Sequence, residues 1–310
     1  ARAALEDARE RCKKALGWEG ELIFTSGASE ALAVGLQRAK VDRQIVSAVE
    51  HDAVFRAAPY AELAPLNDIK MGIDLEFLES SLKQRGPAVV AIQAVNSETG
   101  LCYFQDHGFH ITREVHSMVQ EHGGLVMSDC SQAAGKLPLP NADMLVISAH
   151  KFGGPVGIGA LLVKDYAMLQ PTGGHERGYR HGTENLPGAM GMAAALETPK
   201  AKENPSFQSR SFNRLLTRGN VWWETGYDCG YIFALSHPTM SAQALLIRLD
   251  AMGFAVSAGS ACSSGSMKPS RVLQAFGLDE DTARRTIRVS LGWNTTAQEL
   301  DAFAEAWQSL

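Results

Sequence analysis

The sequence predicts an α/β protein with a mostly parallel sheet flanked by helices, followed by a smaller α+β unit. Three observations carry this expectation. Short apolar runs alternate with stretches of helical spacing through residues 1–196, the pattern of a parallel sheet with crossover helices. Polar residues able to do chemistry stand where several of those apolar runs end. The pattern then breaks at ETPKAKENPSFQ (197–208), which holds two prolines and mixed charge, so the domains are expected at 1–196 and 197–310.

Composition narrows the class. With 310 residues, 45% hydrophobic and 20% charged, the chain can bury a large core. A net charge of −5 offers no basic footprint for nucleic acid, and no apolar run approaches a membrane span. The N-terminal ARAALEDARERCKKALG reads as a charged amphipathic helix rather than a signal peptide. Cys12, Cys102, Cys130, Cys229 and Cys262 are odd in number, scattered and without a CxxC pair. They suggest neither a disulfide framework nor a zinc or other metal site, and a reducing cytoplasm is the expected compartment.

Taken in order, residues 1–16 form a helix stopped by Gly17, and ELIF (21–24) a strand. Thr25–Glu30 (TSGASE) then leads into an Ala/Leu-rich helix. Strand, small polar residues, helix is the layout that points free N–H groups at an anion; the alternative is a plain N-cap by Ser26 or Ser29. QIVSAV (44–49) is strand-like and delivers His51, which suits a ligand crevice and a structural role equally. Residues 56–72 look irregular around Pro59 and Pro65, and Leu75, Leu78 and Leu82 have helical spacing. AVVAIQAV (88–95) is a buried strand followed by Asn96-Ser97-Glu98-Thr99-Gly100. A helix over 111–122 precedes LVMS (125–128), whose end carries Asp129 and Gln132, a carboxylate suited to a buried cation and an amide donor.

DMLVI (143–147) closes on Ser148-Ala149-His150-Lys151 before a glycine-rich turn and the apolar run 160–163. A lysine there is expected to lose part of its water, and desolvation favours the neutral amine that attacks carbonyls. A surface lysine in a β-hairpin is the competing reading. Residues 173–185 (GGHERGYRHGTEN) are too rich in bonding groups for a linker, and Arg180 and Thr183 suit an anion. Residues 187–196 are a small-residue helix. Beyond the boundary, strands are expected at 231–236, 254–257 and 286–291, and helices at 241–252, 269–276 and after the capping-box pair Thr296/Glu299. Cys262 lies in a Ser/Gly-rich segment (258–266), the setting of an accessible, reactive thiol rather than a packed one.

FTSGASE, VEHDAV, VNSETG, SDCSQAAGKLPL, SAHKFGGPVGIGALLV, GGHERGYRHGTEN, SAGSACSSGS and IRVSLGWNTT occur in one order across nearly the whole chain. Together they resemble the class V aminotransferase family of pyridoxal-phosphate enzymes, and within it the cysteine desulfurases of the NifS/IscS type. The resemblance implies fold type I with a seven-stranded sheet, a homodimer, and conversion of L-cysteine to L-alanine with a persulfide on Cys262. It implies that sulfur passes to an acceptor such as an iron–sulfur scaffold protein. Lys151 would carry the cofactor as a Schiff base, Asp129 pair with its ring nitrogen, Gln132 bond its phenolic oxygen, and His51 stack on the ring and shuttle protons. Ala28, Ser29, Ser148 and His150 would hold the phosphate, joined by Thr183 from a second subunit. Asn96-Ser97 stand where the family has paired asparagines at the ring hydroxyl and substrate, and Arg288 would clamp the substrate carboxylate. The family's LDNAATT-like opening and Arg-x-Pro-Asn stretch are not recognisable. Selenocysteine lyase, another class V reaction, and a binding protein without turnover are the alternatives.

Overall fold

The computed structural model describes residues 1–67, 72–103, 111–198, 228–258 and 269–310. It separates into two compact units, Ala1–Val95 with Tyr103–Pro199, and Asn96–Cys102 with Lys200–Leu310.

In the first unit, helix α1 (Arg2–Leu16) ends at Gly17, whose φ of 64° is the left-handed conformation that closes a helix. Strand β1 (Glu21–Thr25) leads into α2 (Ala28–Arg38), and β2 (Arg43–Ser47) into α3 (Asp52–Ala57). Strand β3 (Glu62–Ala64) is followed by α4 (Leu75–Arg85), which Asp74 caps by accepting from the N–H groups of Glu76 and Phe77. Strand β4 (Ala88–Ala91), helix α5 (Ile111–Glu121), strands β5 (Leu125–Asp129), β6 (Met144–Ser148) and β7 (Gly159–Val163), and α6 (Leu186–Glu197) complete it. The sheet order is β1-β7-β6-β5-β4-β2-β3. Only β7 runs against its neighbours, so every other strand ends at the same edge. Ile23, Val46, Val89, Met127, Val146 and Leu161 from the strands meet Leu32 and Leu36 of α2 and Val54 of α3 in one buried cluster.

Two strands of this unit differ most from the sequence reading. Strand β3 falls inside the stretch expected to be irregular. It is a three-residue edge strand between Pro59 and Pro65 with Leu63 exposed, too short to show alternation. The expected strand 88–95 ends at Ala91. Past it, Ile92 and Ala94 still donate to Met127 O and Asp129 O, but Gln93 turns to side-chain bonding with β2's extension. Gln93 N–H donates to Glu50 Oε1 (2.8 Å) and its amide nitrogen to Val49 O (2.6 Å).

At the opposite edge, Asp143 fixes the starts of β5 and β6. It accepts from Val126 N–H (2.8 Å), the Gln120 amide (2.7 Å) and Lys164 Nζ (3.0 Å), so its burial is compensated.

The second unit is a three-stranded antiparallel sheet, β8-β10-β9, with helices. Its elements are β8 (Ile232–Ser236), α7 (Ala242–Ala251), β9 (Ser257–Ala258), α8 (Arg271–Ala275), α9 (Glu280–Arg284), β10 (Thr286–Ser290) and α10 (Ala297–Gln308). The Thr296/Glu299 capping box forms as the spacing predicts. Phe233, Leu245, Leu249, Ile287, Leu300 and Phe303 make the core.

Candidate active site

Strand β6 is buried throughout and ends at Ser148. A single 3₁₀ turn, Ala149–Phe152, follows and closes on Gly153 at φ 84°, a left-handed conformation open to glycine. Ala149 and Phe152 are buried on one side of this turn, so His150 and Lys151 point the other way and are exposed. The competing hairpin reading is correct in topology, because β6 and β7 are antiparallel neighbours. The expected dehydration of Lys151 is not present in the single chain: its side chain is exposed. His150 Nδ1 lies 3.1 Å from Ser148 Oγ. Burial, and then the Lys151 charge, hold the His150 pKa below its ordinary value.

Strand β1 also ends at this edge, and its continuation crosses β7 closely. A Cβ on Gly159 would sit 2.5 Å from Ile147 O and 2.8 Å from Gly27 Cα, so two glycines let the Ser26–Ser29 segment lie against the sheet. Gly27 is the N-cap of α2 and provides no side-chain cap, contrary to the alternative of capping by Ser26 or Ser29. The first backbone bond into the helix is Ala31 N–H to Gly27 O, which leaves the N–H groups of Ala28 and Ser29 ahead of it without an intrahelical acceptor. These donors, Ser148 and His150 stand at neighbouring strand ends, because β1, β7 and β6 are adjacent.

Next in the sheet is β5. Asp129, its last residue, is half-buried. Oδ1 accepts from Ser131 N–H (2.9 Å), while Oδ2 has no protein donor among the described residues. Gln132 is half-buried in the turn that follows. His51 follows β2 and caps α3: its Nδ1 accepts from Ala53 N–H (3.1 Å), which leaves Nε2 as the protonated nitrogen of the neutral ring.

Thr183 is exposed. Arg180 does not stand open to an external anion as the sequence suggested. Its Nε donates to Glu30 (3.1 and 3.3 Å) and its Nη1 to Gly182 O and Thr183 O (3.3 Å each), which ties the Thr183 segment to α2. The same segment is anchored by Glu176, 3% exposed, which accepts from both Nη atoms of Arg9 (2.7 and 3.0 Å) and from Phe24 N–H (2.8 Å). Neither the Arg9–Glu176 pair nor the Gly27–Gly159 approach was found from sequence. Nothing local in the sequence marks the first, and a glycine starting strand β7 is the signal of the second.

In the second unit, Asn96 is buried and its Oδ1 accepts from the N–H groups of Glu98 and Thr99 (2.9 Å each). That use makes Asn96 a turn former. Ser97 O accepts from Arg288 Nη1 (3.0 Å), and Ser257 Oγ from Nη2 (3.3 Å). The Arg288 Nε is buried without an acceptor. Cys262 lies outside the described residues, as do most of residues 197–231.

The edge of the first unit fits pyridoxal phosphate. Open helix N–H groups with Ser148 and His150 suit the phosphate, the unengaged Asp129 Oδ2 suits a protonated ring nitrogen, and Lys151 is an amine beside both strands.

The family model for class-V aminotransferases matches residues 1–303. A cysteine desulfurase from Trichormus azollae is 34% identical over 334 residues, covering 97% of this chain and 80% of that protein. A putative cysteine desulfurase, IscS 1, from Bacillus subtilis is 32% identical over 330 residues, covering 97% and 85%. Among solved structures, a NifS-like protein from Rickettsia africae superposes with a TM-score of 0.84 at 26% identity, covering 99% of this chain and 88% of that one. SspA in complex with cysteine gives 0.74 at 27% identity, covering 93% and 86%.

Proposed function

Because the chain belongs to the class-V aminotransferase family, we propose that it is a pyridoxal-phosphate-dependent cysteine desulfurase that turns L-cysteine into L-alanine and collects the sulfur on Cys262. The observation that carries this is the pairing of Lys151 after β6 with the unengaged carboxylate oxygen of Asp129 at the end of adjacent β5.

The bound cofactor supplies an electron sink for the charge left when a substrate α-proton departs. Lys151 would hold it, and its free Nζ would carry that proton. Asp129 Oδ2 would keep the ring nitrogen protonated. Ala28 and Ser29 N–H, with Ser148 and His150, would bind the phosphate; Gln132 would donate to the phenolic oxygen, and His51 would cover the ring with a proton on Nε2. Arg288 receives the substrate carboxylate, with Ser97 beside it, and Asn96 shapes that turn. The Cys262 thiolate attacks the substrate sulfur: an S–S bond forms, the C–S bond breaks, and its electron pair stays with carbon, which is reprotonated to alanine.

The reading extends to partners. Thr183 is exposed and its backbone is held by Arg180, which suits a homodimer in which each copy offers Thr183 to the other's phosphate. We assign residues 1–196, apart from the Asn96–Cys102 segment that belongs to the second unit, to a cofactor domain and 197–310 to a smaller domain carrying Cys262. The sulfur goes to an acceptor thiol such as an iron–sulfur scaffold protein. No helix of the described residues is long and apolar enough to cross a membrane, and a reducing compartment such as the cytoplasm suits a persulfide carrier.

The test is incubation of the pyridoxal-phosphate-loaded protein with L-cysteine. Alanine is expected together with a Cys262 peptide heavier by one sulfur atom, and borohydride reduction should fix the cofactor on Lys151. No alanine and no mass gain would sink the assignment.

A further inference from the structure

Arg288 is anchored in an unusual way for a half-buried cation. Its two partners, Ser97 O and Ser257 Oγ, are both uncharged. Among the described residues no carboxylate pairs with it, and its Nε–H has no acceptor although the atom is buried. A buried donor without an acceptor carries a desolvation cost that a bound anion removes. The guanidinium has five donors, and one on each terminal nitrogen is engaged, so enough remain for a bidentate carboxylate.

The orientation of that open edge depends on both anchors. One is backbone: Ser97 O sits in the turn that Asn96 closes by accepting from Glu98 and Thr99 N–H. The other is a side chain placed by strand register. Ser257 on β9 stands directly opposite Arg288 on β10, and opposed residues share a face of a sheet. A guanidinium held at one nitrogen can swing about that bond; held at two, its plane is fixed.

We propose that Ser257 is a positioning residue: its hydroxyl locks the Arg288 guanidinium so that the remaining N–H groups meet the α-carboxylate of an amino-acid substrate. This rests on the desulfurase reading for the identity of the substrate. The role of Ser257 itself rests on the geometry.

The experiment compares wild type, Ser257→Ala and Ser257→Thr as pyridoxal-phosphate-loaded enzymes. With L-cysteine, Ser257→Ala should raise KM roughly three- to tenfold, the worth of one hydrogen bond. Its kcat should stay within about twofold, because the lost contact serves binding. Calorimetric binding of the product L-alanine should weaken by the same factor. L-Cysteine methyl ester, which lacks the carboxylate charge, should show no such penalty, and Ser257→Thr should restore wild-type values. Unchanged KM and L-alanine affinity in Ser257→Ala overturn the proposal. So does an equal penalty on acid and ester, or a fall in kcat alone. Wild type that forms no alanine, yet binds L-alanine with an affinity that depends on Ser257, overturns the desulfurase reading and supports this one.

Discussion

His237 is held in one protonation state by what it must accept. Its Nδ1 takes the N–H groups of Thr239 (3.2 Å) and Met240 (2.9 Å), and its ring meets Trp307 edge-on at 5.7 Å between centroids. A proton on Nδ1 would break both bonds. Burial, and then the charges of Arg248 and Arg285, push its pKa below the ordinary 6.5. The unfolded chain therefore takes up the proton at a higher pH than the folded one. The stabilisation is complete above pH 6.5 and is lost as pH falls through the lower folded value. Carboxylates held below their ordinary 4.5, such as Glu30 and Glu62, lose theirs only further down, while Asp228, raised by burial, works in the opposite direction. His150 acts in the same direction as His237. We expect Tm to fall between about pH 7 and about pH 5, with His237→Asn flattening part of the slope because its amide oxygen can accept the same N–H groups. An identical slope in the variant, read by scanning calorimetry across that range, would remove His237 from the account.

At the scale of elements, the sheet edge depends on how closely β1's continuation can cross β7. Gly159 → Ala would place a methyl group 2.5 Å from Ile147 O and 2.8 Å from Gly27 Cα, both backbone atoms that cannot swing aside. The Ser26–Ser29 segment must lift, and the open N–H groups of α2 move with it. Overpacking of this kind costs about 1–3 kcal/mol, and the cofactor dissociation constant, followed by absorbance, should rise roughly tenfold or more. A variant that binds as tightly as wild type would show that α2's N-terminus does not hold the phosphate. Which elements exist was legible because β4, β5, β6 and β7 are buried runs with little polar interruption. Strand β3 and helices α3 and α9 were missed because three, six and five residues are too few to display a period. The early end of β4 was missed because Glu50, a side chain from another strand's extension, takes over the pairing. The placement of the candidate residues at strand ends was legible for a related reason: each follows an apolar run whose direction the fold fixes. Ser257 was not, because its importance comes from a cross-strand register that no local pattern displays.

Across the molecule's first unit, one buried ion pair ties together three stretches far apart in sequence. Arg9 on α1, 2% exposed, reaches Leu22 O on β1 and both oxygens of Glu176, and its guanidinium lies over the Phe24 ring at 5.0 Å. Glu176 and Arg177 are held at φ 48° and 56°, a left-handed conformation that costs non-glycine residues energy, so the segment adopts it because the pair demands it. Length and composition predicted a large core but not this pair, since nothing in a helix of mixed charge marks which arginine turns inward. Removing one partner should do more harm than removing both. Arg9 → Ala strands a carboxylate that is 1% exposed and is expected to cost about 3–5 kcal/mol, whereas Arg9→Met with Glu176→Gln leaves no buried charge and should cost clearly less. The same variants separate fold from site. In Arg9→Ala the Thr183 segment loses its tie to α1, so formation of the proposed dimer, read by light scattering, should weaken along with the denaturation midpoint. If the double variant is as unstable as Arg9→Ala, the pair holds the segment by its specific charges, and the reasoning from stranded charge is wrong.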